Sequence, residues 1–256
     1  MTAASFHHNP NRGSAMRLQI TMSACPHDTA NRIERWFVFT QQLTKQSRFS
    51  VRFSLALNFP EFRGMFDKLD LVYADPNNAL HLVRDRDFIP LARMDGRFDE
   101  AVIVCRRDQP QALATISNQR IATCKSLIIT DIAIRYLERQ GLIPGELVDQ
   151  PSWGAALAAL LRGDADLAIL YADFYYDLKP ETREELLLLG ESQERFAFHA
   201  FLLTPGKASL AEELRSILLT LHQNPDGAAA LQALGCPKLV EASREEILSF
   251  AQPSVQ

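Results

Sequence analysis

The sequence predicts an α/β fold of parallel strands joined by crossover helices, and three observations carry that prediction. Strand-like and helix-like segments alternate along almost the whole chain, the pattern left by parallel sheets with helices packed on them. Val51, Phe53, Leu55 and Leu57 alternate with Arg52, Ser54 and Ala56, the period of a strand with one face in a core. Leu210, Leu214, Ile217, Leu218 and Leu221 instead fall on one helical face. With 256 residues, 47% hydrophobic and 23% charged, the chain has enough apolar surface for one large domain or two small lobes.

Residues 1–16 are polar, carry Pro, Gly and Ser, and are expected to be a disordered tail. Leu18, Ile20 and Met22 alternate as a first strand, and a helix follows over Asn31–Lys45 with Ile33, Trp36, Phe37 and Leu43 facing inward. The alternating run of 51–57 is the second strand. Pro60 then suits the first turn of a short helix through Phe66, where its missing amide hydrogen has no partner to lose. LDLVYADP, residues 69–76, reads as a strand breaking into a loop, with Asn77 or Asn78 capping a helix through Arg84.

Strands are next expected near Phe88–Met94, Ala101–Cys105 and RIATC, followed by a helix over Ile128–Gln140 stopped by Gly141. A short strand at Glu146–Asp149, a helix from Trp153 to about Gly163 and a buried strand at Leu167–Tyr171 follow. Pro180 opens a helix, Arg195–Thr204 is extended, and two capping boxes are anticipated, Ser209 with Glu212 and Ser243 with Glu246.

The exclusions are equally informative. Net charge is -4 and the Lys and Arg residues are scattered, so a nucleic-acid partner is not expected. The four cysteines show no CxxC spacing and the six histidines no HExxH or HxxxH pair, so neither a metal site nor a cofactor is expected. No Ser-His-Asp set, nucleophile elbow or phosphate loop is present. The start lacks the charged and apolar regions of a signal peptide, which places the chain in the cytoplasm unless a leader was trimmed.

PSWGAALAALLRGDADLAILYADFY, residues 151–175, resembles the second-lobe signature of the phosphate/phosphonate-type substrate-binding proteins of ABC transporters, with Gly163, Asp166 and the 167–171 strand in the family's order. AIRYLERQGLIPGE (133–146) and LDLVYADPNNALHLVRDRDFIPLARM (69–94) resemble two further passages of that family, and the resemblance spans about residues 17–235. It implies the type 2 periplasmic-binding-protein fold: two mixed sheets with flanking helices, joined by two extended hinge crossings. Lobe one would take 17–105 plus 197–256 and lobe two 106–196, with AVIVCRRD and RFAFHAFLLT as the crossings. It also implies a periplasmic location, a small anionic solute, and a membrane component of a transporter or a signalling partner; a monomer is expected.

Ligands of open α/β sheets lie beyond the carboxyl ends of strands, and the candidate residues follow from that position. The first loop offers Cys25, His27 and Asp28, although Asp28 is also a plain helix cap and Cys25 a small buried side chain. Asn58 follows the second strand; Asp75 and Asn77 follow the third. The segment TCKSLI offers Thr123, Lys125 and Ser126, but is about three residues shorter than the family's phosphonate-cradling loop and lacks its glycine. Ser152 and Trp153 come next, Trp153 either stacking on the solute or packing in the core, and then Tyr171 and Asp173.

Two other functions stand beside solute binding. One is an enzyme on the same fold, similar to chorismate dehydratases, for which Asp173 and His199 would be the pair to test. The other is a stand-alone sensor that reports solute to a partner protein.

Overall fold

The computed structural model describes residues 18–29 and 33–251. The tail anticipated over 1–16 and the start of the helix anticipated from Asn31 lie outside the described residues. The chain opens with β1 (Gln19–Ala24), α1 (Pro26–Thr29), α2 (Ile33–Gln46), β2 (Ser50–Phe53), α3 (Phe59–Gly64), β3 (Leu71–Ala74), α4 (Pro76–Asp85) and β4 (Ile89–Met94). It continues through β5 (Ala101–Arg106), β6 (Arg120–Thr123), α5 (Ile128–Arg139), β7 (Glu146–Asp149), α6 (Trp153–Arg162), β8 (Leu167–Tyr171), α7 (Ala172–Tyr176), α8 (Pro180–Glu184) and β9 (Leu186–Glu191). It ends with β10 (Ala200–Leu203), α9 (Ala211–Thr220), α10 (Pro225–Ala233), β11 (Leu239–Glu241) and α11 (Arg244–Leu248).

These strands make two mixed sheets. The first has the order β11-β4-β10-β3-β1-β2, with β1 parallel to β2 and β3, while β10 and β11 run antiparallel to their neighbours. The second has the order β7-β6-β8-β5-β9, with β6 parallel to β7 and β8, and β5 antiparallel to β8 and β9. The chain passes between the sheets twice, at 95–100 and at 192–199. The passages are tied together: Asp99 N–H donates to Ala197 O at 2.8 Å and Ala101 N–H to the Ser192 hydroxyl at 2.8 Å. AVIVCRRD, anticipated as a crossing, is mostly β5 and lies inside the second sheet; of RFAFHAFLLT, only its first half lies in a passage.

Each sheet is covered by helices whose apolar stripes explain their placement. Trp36, Phe39 and Leu43 of α2 pack with Leu214 and Leu218 of α9 and Leu231 of α10 against Tyr73 and Phe201 of the first sheet. Burying a side chain of this size contributes about 1.5–3 kcal/mol. Of the anticipated inward positions on α2, Phe37 is 45% exposed, and Phe39, three residues after Trp36, takes its place. On the second sheet, Ala156, Ala159 and Leu160 of α6 meet Val102, Val104 and Leu170. Gly163 (φ 81) ends α6 and Gly141 (φ 71) follows α5, left-handed conformations that a Cβ opposes.

Three local expectations change, and one strand was not anticipated. β2 stops at Phe53 because it is an edge strand paired only to β1, and β1 gives way to α1 two residues after Met22, the partner of Phe53; Ser54 N–H still donates to Met22 O at 2.8 Å, but the pairing goes no further. Asp75, not Asn77 or Asn78, caps α4, accepting from Asn78 N–H at 3.2 Å with Pro76 in the first turn. Ser209 caps nothing: a 3₁₀ turn begins at Pro205, so Ser209 sits inside helical structure and Leu210 precedes α9 without a side-chain cap. Leu186–Glu191, an apolar run without clear period, forms edge strand β9 beside β5. The Ser243–Glu246 capping box is present in full.

Candidate functional site

The carboxyl ends of the parallel strands in both sheets face one another across a cavity of about 700 Å³. His27 and Asp28 follow β1; Phe59 and Arg63 lie on α3 beyond β2; Met94 ends β4 and Arg97 follows it. From the second sheet come Cys124, Ser126 and Leu127 after β6, the 149–154 segment after β7, and Tyr171, Asp173 and Phe174 at the end of β8. The wall is aromatic over Phe59, Trp153, Tyr171 and Phe174, and polar groups are set into it, the composition of small-molecule sites.

A connected polar network forms the inner end. His199, 4% exposed at its side chain, stands just before β10 with Nδ1 2.9 Å from Asp28 Oδ2 and Nε2 3.3 Å from Asp99 Oδ2. The Tyr171 hydroxyl lies 3.2 Å from Asp99 Oδ1 and 3.2 Å from Asp173 Oδ2. Asp173 pairs with the Arg97 guanidinium, which also donates to Leu234 O at 3.2 Å. On the other side of Asp28, His27 Nε2 is 3.7 Å away, and His27 Nδ1 is 3.2 Å from the Cys25 sulfur. The His27 ring meets those of His199 and Tyr171 edge-on, with centroids 4.8 and 5.2 Å apart.

Electrostatics follow from this packing. Burial opposes charge on His199, but Asp99 and Asp28 outweigh it and hold the imidazolium well above the usual imidazole range. Burial alone would raise Asp28; His199, then His27 and Arg97, hold it well below the carboxylate range. Burial, then Asp99 and Asp173, push the Tyr171 phenol far up, so it remains a donor. Burial also resists ionisation of Cys25, with Asp75 and Asp28 adding to it, and pushes Cys124 up to about 12 with help from Asp149.

Of the candidates named from the sequence, His27, Asp28, Ser126, Ser152, Trp153, Tyr171 and Asp173 line the main cavity. Trp153 does so while packing in the core at 6% exposure, so its two alternative roles coexist. Asp75 and Asn77 line a small adjoining recess with His27, Phe59 and Trp153. Cys25 is fully buried behind His27. Asn58, Thr123 and Lys125 are not among the lining residues. Asn58 caps α3 by accepting from Glu61 N–H, Thr123 pairs its hydroxyl with that of Thr130 at 2.7 Å, and the Lys125 backbone N–H donates to Asp149. The His199–Asp173 pair does not form; Asp99 and Tyr171 stand between them.

Sequence reasoning did not single out Arg63 or Arg97. Arg63 donates from Nε to Asn78 Oδ1 at 3.0 Å, a neutral partner, and its guanidinium lies 5.8 Å from the Phe59 ring centroid. Neither arginine sits in a motif. Their only signal is position, a cation just beyond a strand end.

The start of α5 is occupied from across the cavity. Leu127 offers no side-chain cap, and Asn77 of α4 supplies one, accepting from Ile128 N–H at 2.8 Å and donating to Ser126 O at 3.3 Å. The short TCKSLI loop is thus completed by a residue from the first-sheet side.

Comparison with known proteins places this architecture in a family. The family model described as "ABC transporter, phosphonate, periplasmic substrate-binding protein" matches residues 22–247. This chain belongs to the phosphonate-type periplasmic substrate-binding proteins of ABC transporters, whose function is solute binding for transport. Among solved structures, PhnD1 from Prochlorococcus marinus in complex with methylphosphonate is similar at 16% identity and TM-score 0.72, covering 90% of this chain and 94% of that one. The binding-protein component of an ABC phosphonate transporter from Pseudomonas aeruginosa is similar at 14% identity and TM-score 0.69, covering 91% and 84%. The alkanesulfonate-binding protein SsuA from Xanthomonas axonopodis pv. citri bound to MOPS is similar at 17% identity and TM-score 0.61, covering 95% and 88%. At these identities the likeness is one of fold. No functionally curated protein matches the sequence. Among the described residues, no helix is long and apolar enough to cross a membrane.

Proposed function

We propose that the protein reversibly binds one small organic anion, phosphonate-like or carboxylate-like, between the two sheets, and that the sheets close on it about the 95–100 and 192–199 passages. The observation that carries this reading is the cavity itself: about 700 Å³, enclosed by strand ends of both sheets, walled by aromatic rings and holding two guanidinium groups. Arg97 is shared with Asp173, whereas the Arg63 partner at Nε is a neutral amide, so Arg63 is the stronger anchor for a negative head group. The body of the solute would lie against Trp153, Phe59 and Phe174. The volume suits an anion with an organic body better than a bare oxyanion, and the relatives bound to methylphosphonate and to MOPS show the fold accommodating head groups of this chemistry. Delivery to a transporter's membrane component is the output that the family supports, with a sensory partner as the other.

A thermal-shift screen of alkyl and aryl phosphonates, sulfonates and carboxylates tests the reading. A true solute at 100 times its dissociation constant should add about 2.7 kcal/mol of stability. Arg63→Gln should weaken that solute by about 10- to 100-fold, the worth of one charge-assisted hydrogen bond. Stabilisation by cations alone, or no response to any anion, would contradict the proposal.

A further inference from the structure

We propose that Cys25, His27 and Asp28 bind one borderline-soft divalent transition metal ion, with zinc as the reference ion, at the inner end of the cavity. One donor atom from each residue lies within 4.8 Å of the other two. The Cys25 sulfur and His27 Nδ1 are 3.2 Å apart, close to the separation of about 3.6 Å across one edge of a tetrahedral zinc site with ordinary Zn–S and Zn–N bonds. All three come from one short stretch: Cys25 joins β1 to α1, and His27 and Asp28 stand in the turn that opens α1. That turn is fixed by Cys25 N–H donating to Tyr73 O at 2.9 Å, and Pro26 starts the helix immediately after. The ligands are therefore placed by the backbone before any ion arrives.

A second observation points to the same place. Asp28 Oδ2 is a buried polar atom without a hydrogen bond of good geometry, on a side chain that is 9% exposed. Buried polar atoms nearly always find partners, so this carboxylate oxygen beside Cys25 and His27 marks a place for an ion or a water. A sulfur ligand decides between the two. Thiolate with imidazole and carboxylate is the donor set of zinc, cobalt or copper, and magnesium or calcium would take oxygen alone.

The environment completes the site. His199, itself held by Asp99, orients Asp28; such an outer partner fixes ligand geometry. His27 and Asp28 also line the main cavity, so three protein ligands leave a coordination position open toward it. Binding replaces the thiol proton of Cys25 with the metal and releases that proton to solvent. The Cys-x-His-Asp spacing matches none of the zinc spacings sought in the sequence, because one short stretch supplies all three donors.

Chelator-treated full-length protein titrated with Zn²⁺ by calorimetry and with Co²⁺ by absorption spectroscopy tests the site. One ion per chain is expected, with a thiolate-to-cobalt charge-transfer band in the near ultraviolet. Cys25→Ser should abolish the band, and Cys25→Ser or His27→Gln should weaken zinc by roughly 100-fold. Cys105→Ser, at the end of β5 that pairs with Leu167 rather than with Tyr171, should keep both signals. Circular dichroism melting confirms that each variant is folded. Failure of the wild-type protein to take up either ion, or a charge-transfer band that persists in folded Cys25→Ser, overturns the proposal. Neither result bears on the solute screen, which is read in the presence of chelator.

Discussion

At the residue scale the site is a compromise between packing and recognition, and Trp153 shows it best. Its backbone opens α6 behind Ser152, which caps the helix, and its ring is core on one side and cavity wall on the other. Trp153→Ala should weaken solute by about tenfold or more through lost stacking, measured by calorimetry. Cys124 gives a pH-dependent reading of the same wall. Its thiol is pushed up to about 12, so at pH 8 it is almost wholly neutral, and thiolate is the reactive form. Alkylation of Cys124 by iodoacetamide, followed by mass spectrometry, should be slow at pH 8 and rise steadily toward pH 12. Fast labelling at pH 8 in folded protein would contradict the burial described. His27, Asp28 and Tyr171 were legible because strand ends can be read from periodicity. Arg63 and Arg97 were not, because their approach to the cavity is set by how α3 and the first passage pack.

At the element scale, sequence signals succeeded where local chemistry decides the outcome and failed where neighbours decide it. The two anticipated capping boxes have the same spacing, yet only Ser243 accepts from the N3 amide, at 3.1 Å from Glu246 N–H, while Glu246 accepts from Ser243 N–H. Ser209 lost its role to Pro205, which starts helical turns earlier in the chain. Ser243→Ala should therefore lower unfolding stability by about 1 kcal/mol, and exposed Ser209→Ala by no more than about 0.5 kcal/mol, in denaturant titrations. Equal losses would contradict the assignment. β2 failed in the same way: Leu55 and Leu57 continue its alternation, but β1 supplies no partner for them, and Leu57 is 76% exposed. The exact match of β7 and β8 to their anticipated ranges reflects the opposite case: β8 is a short, fully buried apolar run, and β7 begins directly after Gly145 and ends two residues before Pro151.

At the scale of the whole molecule, two mixed sheets and two tethered passages define a gap whose lining was written into many separate loops. The family resemblance anticipated the two-sheet arrangement, but the passages fall at 95–100 and 192–199, since β5 belongs to the second sheet. Strand order in a sheet depends on long-range pairing that no local period records. Asn77 reaching from α4 to the start of α5 shows that the two sides already touch at the rim. A solute held between them must protect both.

Hydrogen-exchange mass spectrometry with and without saturating solute measures this directly. The expected result is slowed amide exchange in segments from each sheet at once: 57–64 beside Arg63 on one side, and 124–128 with 150–154 on the other. Protection confined to one sheet, or lying away from these loops, would contradict a solute bound between the two.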